Sequence, residues 1–258
     1  MNQKEILQKI KQAGSLEIII GLNVLLFLFA KIFMAFGWFS LKYVALPLHF
    51  EDFLPRFWTL LTYGFFHQDF ISLFFNMLLL FYFGSILTDF QPEKKVAFLY
   101  LSGVVLGGLF FLASYALFPG MYVVKSPLLG ASAGMMAVMT YTAMLLPKYQ
   151  IKIRFLGYFK LIHILIFFVA LNLLQIPLGN PGGYFAHFGG LAAGLLWFFL
   201  SGRFKHASVK TEIFGSSSNR EPMRRRERID AILDKINRSG YDSLTQAEKE
   251  ELFRQSKK

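Results

Sequence analysis

The sequence contains no cysteine, which excludes disulfides, thiolate-ligated zinc and a thiolate nucleophile. Charge is scarce as well: 17 % of the 258 residues are Asp, Glu, Lys or Arg, against about a quarter in an ordinary soluble domain. That is too little charge to cover a water-soluble core in a chain that is 55 % hydrophobic and holds 31 Phe. The scarcity is uneven. Residues 1–201 carry 13 Lys/Arg and 7 Asp/Glu, whereas the last 57 carry 14 and 9. An apolar body followed by a polar, basic tail fits neither a secreted disulfide scaffold nor a disordered chain. The net charge of +11 is compatible with nucleic-acid binding, but basic loops on one side of a membrane give the same figure.

Long apolar runs are what the chain has in quantity. A membrane span needs about 20 mostly apolar residues, and six stretches meet that expectation: Glu17–Phe39, Ile71–Thr88, Val96–Leu117, Pro127–Leu146, Phe155–Ile176 and Tyr184–Ser201. The fold class expected is therefore all-α, a polytopic membrane protein with six spans. Basic residues set the orientation. Lys4, Lys9 and Lys11, then Lys94 and Lys95, then Lys148, Lys152 and Arg154, and finally the tail all fall on one side. The other side has Lys42, Arg56 and Lys125. Both termini are expected in the cytoplasm, with spans two, four and six running inward from the outer surface. A cleavable signal peptide over 1–35 is the alternative for the first run, but no small-residue cleavage site precedes Phe36-Gly37. The connection Ser40–Phe70, rich in Phe and containing Trp58, suits the headgroup level of a bilayer.

The expected organisation is an N-terminal cytoplasmic arm (1–16), a membrane domain (17–201), a basic linker (202–226) and a small helical module (227–258). In that module Ile229, Ile232, Leu233 and Ile236 share a helical face, and Thr245-Gln246-Ala247-Glu248 reads as a capping box for a second helix. The basic linker beside the last span suits anionic lipid headgroups better than nucleic acid.

Polar side chains inside spans are costly and point to function. Asn76, Ser132 and His187 stand in spans two, four and six, each within the first turn or two. Three helices of the same direction therefore place them at one depth. Ser132 lies between Gly130 and Gly134, and His187 three residues before Gly190 and seven before Gly194. Such spacing lets helices approach closely, so Ser132 alone reads first as one more small packing residue. Together the two supply a hydroxyl and the base it needs to become a nucleophile. Asn76 and the backbone N–H of Ser132 are candidate donors to an oxyanion. Glu17, Asp69 and Asp89 lie at span ends, which leaves no buried carboxylate to orient His187. A Ser–His dyad is the expectation.

Three segments resemble the rhomboid family of intramembrane serine proteases. His67-Gln68-Asp69-Phe70-Ile71-Ser72-Leu73-Phe74-Phe75-Asn76 is similar to its span-two signature, Gly130-Ala131-Ser132 to its GxS motif, and Ala186-His187-Phe188-Gly189-Gly190-Leu191-Ala192-Ala193-Gly194 to its AHxxGxxxG motif. The likeness covers about residues 15–201. It implies Ser132 as nucleophile, His187 as general base and then acid, Asn76 on the oxyanion, transmembrane proteins as substrates, and no cofactor or metal. A bacterial cell membrane and an active site open to the outer side follow from the same resemblance, as does the alternative of an inactive relative that binds membrane proteins without cutting them. Two positions depart from the family pattern. Ala133 follows the serine where Gly is frequent, and Ser72 stands where a second histidine is common, leaving a weaker, uncharged donor beside Asn76. His67 resembles a further family histidine, read as structural. His163 is read as packing or snorkelling, and His49 and His206 as loop residues.

Overall fold

The computed structural model describes residues 13–122, 125–153, 157–176 and 181–202, with Lys235 and Thr245. The chain divides into two compact units, 1–209 and 210–258. Most of the expected arm, Arg154, His206, nearly all of the linker, and the module apart from Lys235 and Thr245 lie outside the described residues.

Among the described residues six apolar helices build the first unit: α1 (Ser15–Ala35), α2 (Phe70–Thr88), α3 (Lys94–Leu117), α4 (Ser132–Leu145), α5 (Leu161–Gln175) and α6 (Gly182–Leu200). Four of them, α1, α2, α3 and α6, are long and apolar enough to cross a membrane. The fourth and fifth runs are shorter helices than their apolar length suggests. The run before Ser132 is not helical at Leu128, which pairs with Leu46 in a two-way backbone bridge of 3.1 and 2.9 Å. At 14 residues, α4 reaches about 21 Å.

The start of the fifth run is not helical either. Strand β1 (Gln150–Ile153) pairs antiparallel with β2 (Gly157–Lys160), with Ile151 opposite Phe159 and Lys152 opposite Tyr158. Aromatic and β-branched residues favour strand pairing, and Gly157 has a φ of 93°, which ends any helix begun before it. The helix starts at Leu161, whose N–H donates to Tyr149 O at 3.0 Å. One hairpin is thus added to a mostly helical bundle.

Helix α4 is the centre. Every residue from Ala133 to Ala143 is buried, and α2, α3, α5 and α6 all pack against it. Glycine brings the backbones together. A Cβ on Gly190 of α6 would fall 2.1 Å from Ala133 O, and one on Gly194 2.6 Å from Ala137 O. On α3, a Cβ on Gly107 would meet the Ala133 methyl at 2.5 Å. That contact explains why an alanine is accepted after Ser132: its methyl fills the space Gly107 leaves. Small residues on facing helices are the usual way to gain dispersion contact where lipid supplies no hydrophobic drive. One chain of interior polar groups pairs across the helices. Asn23 donates to Tyr100 Oη at 3.3 Å, Tyr100 Oη to Gly64 O at 2.5 Å and Tyr63 Oη to Val104 O at 2.6 Å, tying α1 and α3 to the connection before α2.

Candidate active site

Ser132 is the first residue of α4, and the segment leading to it is held by the connection between α1 and α2. Besides the Leu46 bridge, Gly130 N–H donates to Tyr63 O at 2.9 Å and Ala131 N–H to His67 Nε2 at 3.3 Å. Gly130 has a φ of +126°, a backbone that a side chain would strain. It therefore stands outside the helix. Gly134 faces the Tyr100 ring, 2.7 Å from where its Cβ would be. The Gly130/Gly134 pair is thus not the contact with α6 that its spacing predicts; Ala133 and Ala137 make that contact.

An α-helix begins with N–H groups that have no partner within it. The first helical bond across this start is Met135 N–H to Ala131 O at 2.9 Å, and among the described residues the Ser132 N–H donates to no group. Asn76, 9 % exposed on α2, stands beside this start: its Nδ2 lies 4.0 Å from the point where a Gly130 side chain would begin. The same amide donates to Ser72 Oγ, one turn back, at 3.4 Å. Ser72 N–H is in turn capped by Asp69 Oδ1 at 2.8 Å. Asn76, Ser72 and the Ser132 backbone therefore form one cluster of donors at the same end of the bundle.

His187 sits one turn before Gly190 and Ser132 one residue before Ala133, so each lies within a turn of the α4–α6 backbone contact. Among the described residues no hydrogen bond joins the two side chains; catalytic hydrogen bonds are often long before substrate binds. The His187 ring is held from another side. Its Nδ1 lies 2.5 Å from Oδ1 of Asn172, a buried residue in the last turns of α5. The sequence reading missed Asn172 because it looked for a carboxylate and for helices of one direction. Span five runs the opposite way, so its last turns share an end with the first turns of α2, α4 and α6. That antiparallel relation was the available signal.

His67 is 1 % exposed and its Nδ1 has no partner among the described residues. Burial pushes its imidazole down from 6.5 to about 4, opposed by the Asp69 charge. A neutral ring is what the geometry needs, since Nε2 accepts the Ala131 N–H and a protonated ring has no acceptor. His67 thus anchors the approach to Ser132 rather than reacting. His49 packs edge-on against Tyr115 at 5.0 Å, and His163 is exposed near the start of α5. Among the described residues no group of three or more His, Cys, Asp or Glu is placed to hold a metal ion.

A model of the Rhomboid domain matches residues 54–204, and a family of unknown function (DUF6576) matches 217–258. The chain is also 32 % identical over 155 residues to RHOMBOID-like protein 12, mitochondrial, of Arabidopsis thaliana. That match covers 55 % of this chain and 46 % of the plant protein, so the chain spans about half the length of its relative.

Proposed function

The chain belongs to the rhomboid family of integral membrane proteins, and from that membership we propose that it is a serine endopeptidase that cuts transmembrane proteins. The observation that carries this reading is the Gly190–Ala133 backbone contact, which brings the helix starts that bear a hydroxyl and an imidazole together, with the Asn76 amide beside the start of α4. In the proposed reaction His187 Nε2 takes the Ser132 Oγ proton as Oγ bonds to the scissile carbonyl carbon. The carbonyl oxygen gains the negative charge and is met by the Ser132 N–H and the Asn76 amide, with Ser72 a weaker third donor. Collapse breaks the C–N bond, and His187 hands its proton to the departing amine. Water then attacks the acyl-enzyme with His187 again as base, releasing the acid and restoring Ser132. No cofactor enters these steps.

The excess of Lys and Arg on one side supports cytoplasmic termini and a site open to the outer face; a bacterial cell membrane is proposed on the resemblance alone. By the same reasoning the C-terminal region is proposed as a cytoplasmic linker and module.

Co-expression with a tagged single-span protein tests the assignment. Ser132→Ala and His187→Ala should each cut cleavage by about 10⁴-fold or more, and a fluorophosphonate should label the wild type but not Ser132→Ala. Cleavage that persists in both variants removes the dyad. Asn76→Ala should cost tens to hundreds-fold in kcat, as for a single oxyanion donor, with expression unchanged. A wild type that neither cuts nor labels, yet captures single-span proteins, identifies a binding protein that has kept the fold.

A further inference from the structure

The bond between Asn172 and His187 specifies more than proximity. Asn172 Nδ2 donates to Phe168 O, one turn back on its own helix, at 2.7 Å. Only the amide nitrogen can make that bond, so Oδ1 is the atom that faces His187, and an amide oxygen only accepts. The proton of a neutral His187 ring therefore resides on Nδ1, which leaves the Nε2 lone pair free. A second bridge of the same design lies one turn along. Gln175 Nε2 donates to Leu171 O at 3.2 Å, and its Oε1 accepts from Tyr184 Oη at 2.9 Å. Tyr184 in turn places its ring edge-on to His187, centroids 6.1 Å apart. Two amides of α5 thus grip the first turns of α6, one at the imidazole and one at the aromatic ring beside it.

We propose that Asn172 is a positioning residue that holds His187 in the Nδ1–H tautomer, completing a Ser132–His187–Asn172 relay in which the third member is neutral. The inference rests on the protease reading for its catalytic consequence, but the tautomer itself does not depend on it. A buried asparagine in place of a carboxylate fits this interior. It fixes the ring's orientation without an ionised group in a low-dielectric bundle, where an unpaired charge is costly. It also explains an oddity of α5. Leu161, Leu165 and Asn172 are its buried residues, and Asn172 is the polar one among them. Among the described residues Tyr184 is the titratable side chain that lies against the His187 ring. A carboxylate placed at 172 would therefore have the imidazole as its near partner.

The test compares Asn172→Leu, Asn172→Asp and Gln175→Leu with the wild type in two readouts. The first is the tautomer of His187 by NMR of isotope-labelled histidine, assigned with His187→Ala among the five histidines. The wild type and Gln175→Leu should show the proton on Nδ1, and Asn172→Leu should lose that preference. An unchanged Nδ1–H ring in Asn172→Leu overturns the proposal whatever the activity. The second readout is cleavage. Asn172→Leu should lower kcat by roughly ten- to a thousandfold with KM held, since an imidazole in the wrong tautomer is a poor base. Asn172→Asp should recover much of that loss and move the acid limb of kcat/KM upward by about one pH unit or more, because a carboxylate stabilises the imidazolium. A loss that Asp fails to rescue, with the acid limb in place, reduces Asn172 to helix pairing and overturns the positioning role. If the wild type neither cuts nor takes fluorophosphonate while the tautomer still depends on Asn172, the protease reading has failed and the assignment of the proton stands. The two failures are therefore separable.

Discussion

Helices α4 and α5 are nearly equal in length, 14 and 15 residues, and neither is long enough to span a bilayer straight. Their surroundings differ completely. Helix α4, built from Ala, Gly, Met, Thr and a few larger residues, is buried from Ala133 to Ala143 with Thr140 and Thr142 inside. Helix α5 is richer in Leu, Ile and Phe, yet it leaves Ile166, Phe167, Leu173 and Leu174 exposed by 55–71 %. In water the greasier helix would be the inner one. In an apolar solvent, transfer from lipid to protein gains little, and burial follows how closely backbones can approach. The residues proposed to react therefore belong to the tightly packed helices α4 and α6. The group proposed to orient the base comes from the loosely packed one.

The largest effect expected from breaking this contrast is at Gly190. Gly190→Val puts a branched side chain where even a Cβ lies 2.1 Å from Ala133 O, so α6 must leave α4. Fluorophosphonate labelling should fall to background and the melting temperature should drop; unchanged labelling would separate the reactive residues from this contact.

A matched pair sharpens the comparison. Met136→Ala on α4, where the side chain is 2 % exposed, should cost about 2–5 kcal/mol, as for a cavity in a close-packed core. Phe167→Ala on α5, 58 % exposed, should cost less than about 0.5 kcal/mol despite removing more carbon. Equal losses by thermal or denaturant unfolding would mean that α5 is packed as firmly as α4.

A smaller effect concerns the anchor before α4. His67→Leu leaves the Ala131 N–H without its acceptor and should cost about 1–3 kcal/mol. Its pH dependence has a definite sign. Burial holds the folded-state imidazole at about 4, below its ordinary 6.5, so the folded chain binds fewer protons than the unfolded chain between those values. The contribution of His67 is whole above pH 6.5 and is lost as pH falls toward 4. Melting curves of the wild type should therefore slope downward across that window, and the slope should flatten in His67→Leu. A slope identical in both proteins assigns the acid sensitivity to other groups.

Much of this was legible in the chain itself. Hydropathy alone placed α1, α2, α3 and α6 to within a few residues. Ser132, His187 and Asn76 stood out because polar groups are rare in such runs. The two short helices are shorter than their apolar runs, since an apolar run does not distinguish a helix from a non-helical approach such as the one through Leu128 and Gly130, nor from strand β2. Gly130 looked like half of a helix-packing pair until its positive φ placed it in the turn.

The sequence by itself determined how many apolar helices the described residues form and their order, because those follow from local hydropathy and from the reversal of direction at each loop. Only the tertiary structure decided which small residues touch, that Ala133 rather than Gly134 meets Gly190, and that Asn172 faces the His187 ring. Contacts between helices depend on rotation about each axis. A helix of nearly uniform hydropathy carries no amphipathic face from which that rotation can be read.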